Sequence, residues 1–184
     1  MAEPQQPTKA EPWWAALPAP RARCPTLPAD EVLKLLEENT GTASGASDVL
    51  LVDVRRDDWT GGTVAGSVNL PAQSLYATRG AIYDLCRRAG VKRVVFYCGE
   101  IQYCLHYSAI TAGQPSGLSN TAIAYLGSCS DGGRGWKCAN WFQDYVDEKG
   151  DTEIQGMLLE GGIKGWVKRF GGKGVQGFDA NCWM

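Results

Sequence analysis

The stretch RVVFYCG, from Arg93 to Gly99, runs apolar and β-branched into a cysteine and a glycine. A strand that stops this way can present a thiol at its own end. The thiolate is the reactive form, and an unperturbed cysteine near pKa ~8.5 is mostly protonated at neutral pH. Backbone N–H groups at a helix N-terminus favour the thiolate and bind oxyanions. A neighbouring arginine adds a planar, two-point clamp for the oxygens of phosphate, arsenate or a thiosulfonate. Two cysteines compete for the nucleophile's place. Cys98 ends the apolar run, but the arginine, Arg134, follows 36 residues later. Cys129 opens CSDGGR and reaches the same arginine within that hexapeptide, although Gly127 and Ser128 separate it from the apolar residues before it. The plain alternatives are a buried strand-end thiol for Cys98 and an incidental loop cysteine for Cys129.

The elements around these residues alternate. ADEVLKLLEEN reads as a helix, with Asp30 placed to cap it and Val32, Leu35 and Leu36 at helical spacing. After a Gly/Ser/Ala linker, DVLLVDVR is an apolar run of strand length, of the kind that parallel sheets bury on both faces. GGTVAGSVNLP gives a glycine turn, a short strand and a proline stop. AIYDLCRRAG is an amphipathic helix closed by Gly90, and KRVVFYC is the next strand. KCANWFQDYVDEKG is helix again, with Ala139, Phe142 and Val146 on one face. IQGMLLEGG holds a last strand and IKGWVKRF a short helix. This alternation predicts an α/β fold with a parallel sheet. Trp141, Phe142 and Trp166 are read as core residues, while Asp53 and Arg55 form either an internal polar pair or a support for the active loop.

The bulk numbers set limits on function. A chain of 184 residues can bury one good core but not two. A net charge of −2 gives no reason to expect nucleic acid or an anionic membrane as a partner. No stretch approaches the roughly 18 apolar residues that span a bilayer. Seven cysteines, an odd number, and no secretory signal at the N-terminus argue for a reduced, cytoplasmic protein rather than a disulfide framework. A single histidine, His106, and no C-x-x-C pair leave no metal site to expect. No nicotinamide or flavin motif is present, so no cofactor is expected either. Residues 1–12 read as a disordered tail, 13–28 as an extended Pro/Trp arm, 29–172 as the domain and 173–184 as a C-terminal tail.

LLVDVRRDDWTGGTVAGSVNLP resembles the first signature of rhodanese-like domains, and LLEGGIKGWVKRFGG resembles their last. With RVVFYCG and GRGWKCANWFQDY between them, four pieces stand in the family's order from Ala29 to Gly172. The resemblance implies a rhodanese-like open parallel sheet flanked by helices, with the active loop joining a central strand to the next helix. The chain is most similar to the single-domain subgroup of arsenate reductases and cell-cycle dual-specificity phosphatases. There the loop reads Cys-x5-Arg, and Cys98 and Arg134 fall at its two ends. Gly99, Ser130, Gly132 and Gly133 would then join Arg134 in the oxyanion cradle. Trp136 and Lys137 depart from the proline and second arginine common in that subgroup.

Such a domain is expected to act on a small oxyanion or a phosphorylated substrate, reducing arsenate or cleaving a phosphoester. Glutathione or another thiol would be the reductant. A sulfurtransferase working through a cysteine persulfide is the second expectation, and Cys129 suits its shorter Cys-x4-Arg loop. A catalytically inactive binding or regulatory module is the third.

One segment breaks the pattern. Glu100 to Gly127 spans 28 residues with one charged side chain, where the chain's 21% would give about six. A loop this long within a compact domain is unusual. Its edges can be encoded as GTGAG at Gly99–Glu100, CTAAC at Ser119–Asn120 and TAG at Leu126–Gly127, in one codon phase. Translated intron is the favoured reading, and a genuine lid loop is the alternative. Joining Gly99 to Ser128 restores a Cys98-x7-Arg134 loop, two residues longer than the family's.

Overall fold

The computed structural model describes residues 12–40, 47–99 and 133–183. Five strands form one parallel sheet in the order β1-β6-β5-β2-β4. They are β1 (Thr26–Leu27), β2 (Val49–Asp53), β4 (Val68–Asn69), β5 (Arg93–Tyr97) and β6 (Gln155–Leu159). Two short strands, β3 (Thr63–Val64) and β7 (Val175–Gln176), pair antiparallel beside it. The helices are α1 (Ala29–Thr40), α2 (Ala72–Ala89), α3 (Arg134–Glu148) and α4 (Gly162–Phe170). None of the described helices is long and apolar enough to cross a membrane.

Strand alternation divides the core in two. Successive side chains of a strand point to opposite faces. Val94, Phe96 and Cys98 therefore share a face with Val52 and Leu158, packed with residues of α2 and α3 such as Tyr83, Cys138 and Phe142. Val95 and Tyr97 point the other way, with Leu51, Leu159 and residues of α1 and α4 that include Val32, Ile163 and Trp166. The register has a direct consequence for chemistry. Cys98 is on the side of the sheet that α3 covers.

Most sequence expectations hold, with informative shifts. Helix α2 starts at Ala72, nine residues before the amphipathic stretch that marked it. Gly80 reads in sequence as a weak point of that helix. In the fold it is where α2 meets α3 closely: a Cβ there would lie 2.9 Å from the Tyr145 hydroxyl. Gly90 ends the helix in the left-handed conformation, φ 73°, as its position implied. Asp30 does not cap α1. The helix already includes Ala29, and Asp30 instead pairs with Arg169 of α4 at 3.1 Å. Trp141, Phe142 and Trp166 are all buried.

The N-terminal segment is attached to α3. Backbone N–H groups of Arg21 and Ala22 donate to the Asp144 carboxylate, and Cys24 N–H donates to Asn140 Oδ1 at 2.7 Å. Trp141 Nε1 donates to the Pro18 carbonyl at 2.8 Å. The segment then becomes β1, a sheet-edge strand against β6 that its prolines concealed. Residues 173–183 turn back onto the turn after β2 through the β3–β7 pairing.

Candidate functional site

In parallel α/β sheets, ligands bind beyond the carboxyl ends of the strands. The ends of β2 and β5, neighbours in register from Val49↔Arg93 to Asp53↔Tyr97, open here onto a cavity of about 610 Å³. Its walls include Cys98 and Gly99 from the end of β5, Gly133 and Arg134 from the start of α3, and Arg55 and Asp58 from the turn after β2.

Two helix starts fix Cys98. Ile163 N–H donates to the Cys98 carbonyl at 3.0 Å and Lys164 N–H to the Gly99 carbonyl at 3.2 Å. The first donors of α4 are thereby spent on the strand end rather than on a ligand. Gly162 makes this docking possible: its φ is +57°, and a Cβ would stand 2.4 Å from the Cys98 carbonyl oxygen. From the other side, Gly135 of α3 approaches the Cys98 backbone, where a Cβ would be 3.4 Å from its nitrogen. The N-terminus of α3 therefore abuts the cysteine. Its partial positive charge and Arg134 lie on the side where a thiolate gains from them.

Arg134 carries a partner of its own. Its guanidinium grips Asp58 with two parallel hydrogen bonds, Nη1 to Oδ1 at 2.8 Å and Nη2 to Oδ2. This grip holds the Asp58 carboxyl well below the usual carboxylate range and, with smaller contributions from Cys98 and Asp53, raises the Arg134 pKa. A hypothetical Cβ on Gly99 would lie 3.9 Å from Asp58 Oδ2, so this carboxylate stands beside the residue that follows Cys98.

Beneath the turn lies a buried polar cluster. Arg55, 1% exposed, donates from Nε and Nη2 to Asp53 and from Nη2 to the Gly62 carbonyl at 2.6 Å. It also reaches the Asp58 carbonyl at 3.4 Å. Thr63 joins Asp53 to the Tyr97 hydroxyl, which also meets Ser67 Oγ and the Val64 N–H. Burial and then the Asp53 charge push the Tyr97 phenol up to about 12, so it stays a neutral donor. Asp53 and Arg55 thus form an internal pair that also ties down the turn after β2, while the active loop they are alternatively expected to support lies outside the described residues. Breaking such a buried pair by removing one member costs about 3–5 kcal/mol.

No protein-family model matches the chain, and no curated protein matches it. Solved structures do match. An As–Sb reductase from Leishmania major aligns over 80% of each chain at 17% identity, with a TM-score of 0.56. Saccharomyces cerevisiae Ygr203w, described as a homologue of single-domain rhodanese and of the Cdc25 phosphatase catalytic domain, covers 86% of this chain and 91% of its own. It has 18% identity and a TM-score of 0.57. A second structure of Ygr203w, described as a yeast protein tyrosine phosphatase of the rhodanese family, gives 17% identity and 0.58 over 86% and 96%. The chain has the rhodanese-like fold.

Within that fold, four of the predicted site residues meet at one cavity: Cys98, Gly99, Gly133 and Arg134. Cys129, Ser130 and Gly132 lie outside the described residues, as does the whole insert, Glu100 to Gly127. Trp136 and Lys137, the two departures from the family pattern, serve the N-terminal segment. Lys137 lies over the ring of Trp14 at 5.0 Å, and Arg23 lies over Trp136 at 5.2 Å. Trp14 itself lines the cavity.

Sequence reasoning missed Asp58, Trp14, Cys182 and Trp183, all of which line the same cavity. Asp58 was visible only as one of several charges in RRDD. The others come from chain ends far from the signatures, and nothing local marks them.

Proposed function

We propose that this rhodanese-like protein is a thiol-dependent enzyme acting on a tetrahedral oxyanion. Cys98 attacks the central atom, Arg134 holds two of its oxygens, and the backbone at Gly99 and Gly133 completes the cradle. Arsenate and phosphoesters are the substrates this chemistry fits, with a thiol such as glutathione as reductant for arsenate. The observation that supports the reading is the shared cavity: a strand-end cysteine, Cys98, and an arginine that opens a helix, Arg134, 36 positions apart in sequence, line one space, with the arginine already holding a carboxylate there. A reducing, cytoplasmic setting belongs to the reading, since the chemistry needs Cys98 as a reduced thiol.

Purified protein tests it in three assays: arsenate with glutathione, a chromogenic phosphate ester, and thiosulfate with cyanide. Turnover in either of the first two, abolished in Cys98→Ser and Arg134→Ala and kept in Cys129→Ser, is the expected result. Turnover of thiosulfate alone would replace the reading with sulfur transfer. Silence of the folded protein in all three would make it an inactive module.

A further inference from the structure

We propose that Cys182 is the resolving thiol of this site: it attacks Cys98 within its covalent arsenate adduct and closes a Cys98–Cys182 disulfide. The inference rests on the oxyanion reading above and narrows it, because a phosphate ester needs no second thiol and arsenate reduction does.

Three observations converge. Cys182 lines the same cavity as Cys98 and Arg134. It is exposed, whereas Cys86 and Cys138 are buried and Cys24 is half-buried, packed against the core cluster between the sheet, α2 and α3. And the segment that carries it is held in place. The β3–β7 pairing sets Thr63 opposite Gln176 and Val64 opposite Val175. Trp183 Nε1 then donates to the Gly61 carbonyl at 2.8 Å, and Asp179 Oδ1 accepts the Asn181 N–H at 3.0 Å to fix the 3-10 turn Ala180–Cys182. Gly61 has φ +86°, and a Cβ on it would lie 2.8 Å from Cys182 Cβ. The anchor point, Gly61, follows Asp58 by three residues, so the second thiol is tied to the turn that carries Arg134's partner.

Cys138 is the competing thiol and is poorly suited. It is fully buried, and burial first, then the neighbouring Cys98, push its pKa far up. The pKa of the Cys182 thiol is raised as well, by desolvation and by the Asp179 carboxylate to which its Sγ donates at 3.7 Å, so what separates the two is access: Cys182 is exposed to solvent at the cavity and Cys138 is enclosed in the core.

The Cys98 thiolate displaces one oxygen of arsenate, which leaves as water, and a sulfur–arsenic(V) bond forms. The Cys182 thiolate attacks Cys98 Sγ, the sulfur–arsenic bond breaks, and its electron pair stays on arsenic as arsenite. The two thiols are oxidised to a disulfide while arsenic(V) is reduced to arsenic(III). Two equivalents of an external thiol of the glutathione class then return the disulfide to two cysteines by exchange.

The test uses the reduced full chain with one equivalent of arsenate and no external thiol, quenched by alkylation and mapped by mass spectrometry. The expected result is one arsenite per linked Cys98–Cys182 peptide in the wild type. Cys182→Ser yields neither without added thiol, and with glutathione it turns over about tenfold or more slowly, having lost an intramolecular step. Gly61→Ala, whose added Cβ pushes against Cys182 Cβ and Trp183 and displaces the segment while leaving both thiols in the chain, loses the linkage while Cys98 still reacts with iodoacetamide at the wild-type rate. Equal arsenite from Cys182→Ser, or a bridge from Cys98 to any other cysteine, overturns the proposal. If arsenate is not reduced at all, diamide replaces it as oxidant. A Cys98–Cys182 bridge then sustains the pairing and faults only the substrate, and its absence overturns the pairing.

Discussion

Asp58 sets the resting state of the clamp at the scale of single residues. The ion pair is partly exposed, with Arg134 27% and Asp58 50% accessible, so its net worth is that of a surface pair, about 0.2–1 kcal/mol. Asp58→Asn is therefore expected to tighten arsenate or phosphate binding by only about two- to fivefold in a calorimetric titration. Weaker binding would mean that Asp58 orients Arg134 for the substrate instead of competing with it. The pH dependence has a defined sign. A carboxyl lowered in the folded state stabilises the protein above its unfolded pKa, near ~3.9, and that stability is lost as pH falls through the folded value. Thermal melts of wild type and Asp58→Asn should thus differ at pH 7 and converge as pH drops below about 4. At this scale Cys98 stood out in the sequence by its place at a strand end and Arg134 by the GGRGWKCANWF stretch, although 36 residues separate them. Sequence could not establish Asp53 and Arg55 as an internal pair, because the pair's burial and its reach to the Asp58 carbonyl are tertiary facts.

Elements place Cys98. Strand alternation puts Cys98 on the α3 face, and α4 then grips its carbonyl through Gly162. Gly162→Ala is expected to lower stability by about 1–3 kcal/mol in urea unfolding, since it adds both a positive-φ strain and a backbone clash. Its loss of turnover should exceed that of an equally destabilising core variant such as Ile163→Val, measured at a temperature where both are folded. Equal losses would reduce Gly162 to a folding residue. Arg55→Ala should cost about 3–5 kcal/mol by the same unfolding measurement, and a cost below about 1 kcal/mol would contradict a buried, hydrogen-bonded pair. Most of these elements were legible because apolar runs of period 2 and 3.6 survive in them. The start of α2 was not, because Gly80 serves helix packing, and β1 was not, because its pairing with β6 is long-range.

The whole molecule joins three distant parts of the chain at one cavity. The N-terminal segment supplies Trp14, the end of β5 and the turn after β2 supply Cys98 and Asp58, and the C-terminal segment supplies Cys182 and Trp183. Sequence gave the signatures between Ala29 and Gly172 but no sign that both flanks return to the same place. The insert bears on the molecule as a unit. Excising Glu100 to Gly127 shortens the connection from Cys98 to Arg134 and should stabilise the fold by about 1 kcal/mol of loop entropy. Its larger effect should be on catalysis, where a shorter loop holds the oxyanion donors more tightly, so turnover is expected to rise. If the segment is translated intron, sequenced messenger RNA will mostly join Gly99 directly to Ser128, and abundant transcripts retaining it would contradict that reading.

The central claim is that Cys98 is the thiol that meets the oxyanion. Competitive alkylation reads this most directly: limiting iodoacetamide at pH 7, with and without arsenate, followed by quantification at each of the seven cysteines. The account predicts that Cys98 is modified fastest, that arsenate protects it, and that protection disappears in Arg134→Ala. Protection that falls on Cys129, with Cys98 unreactive, would contradict it.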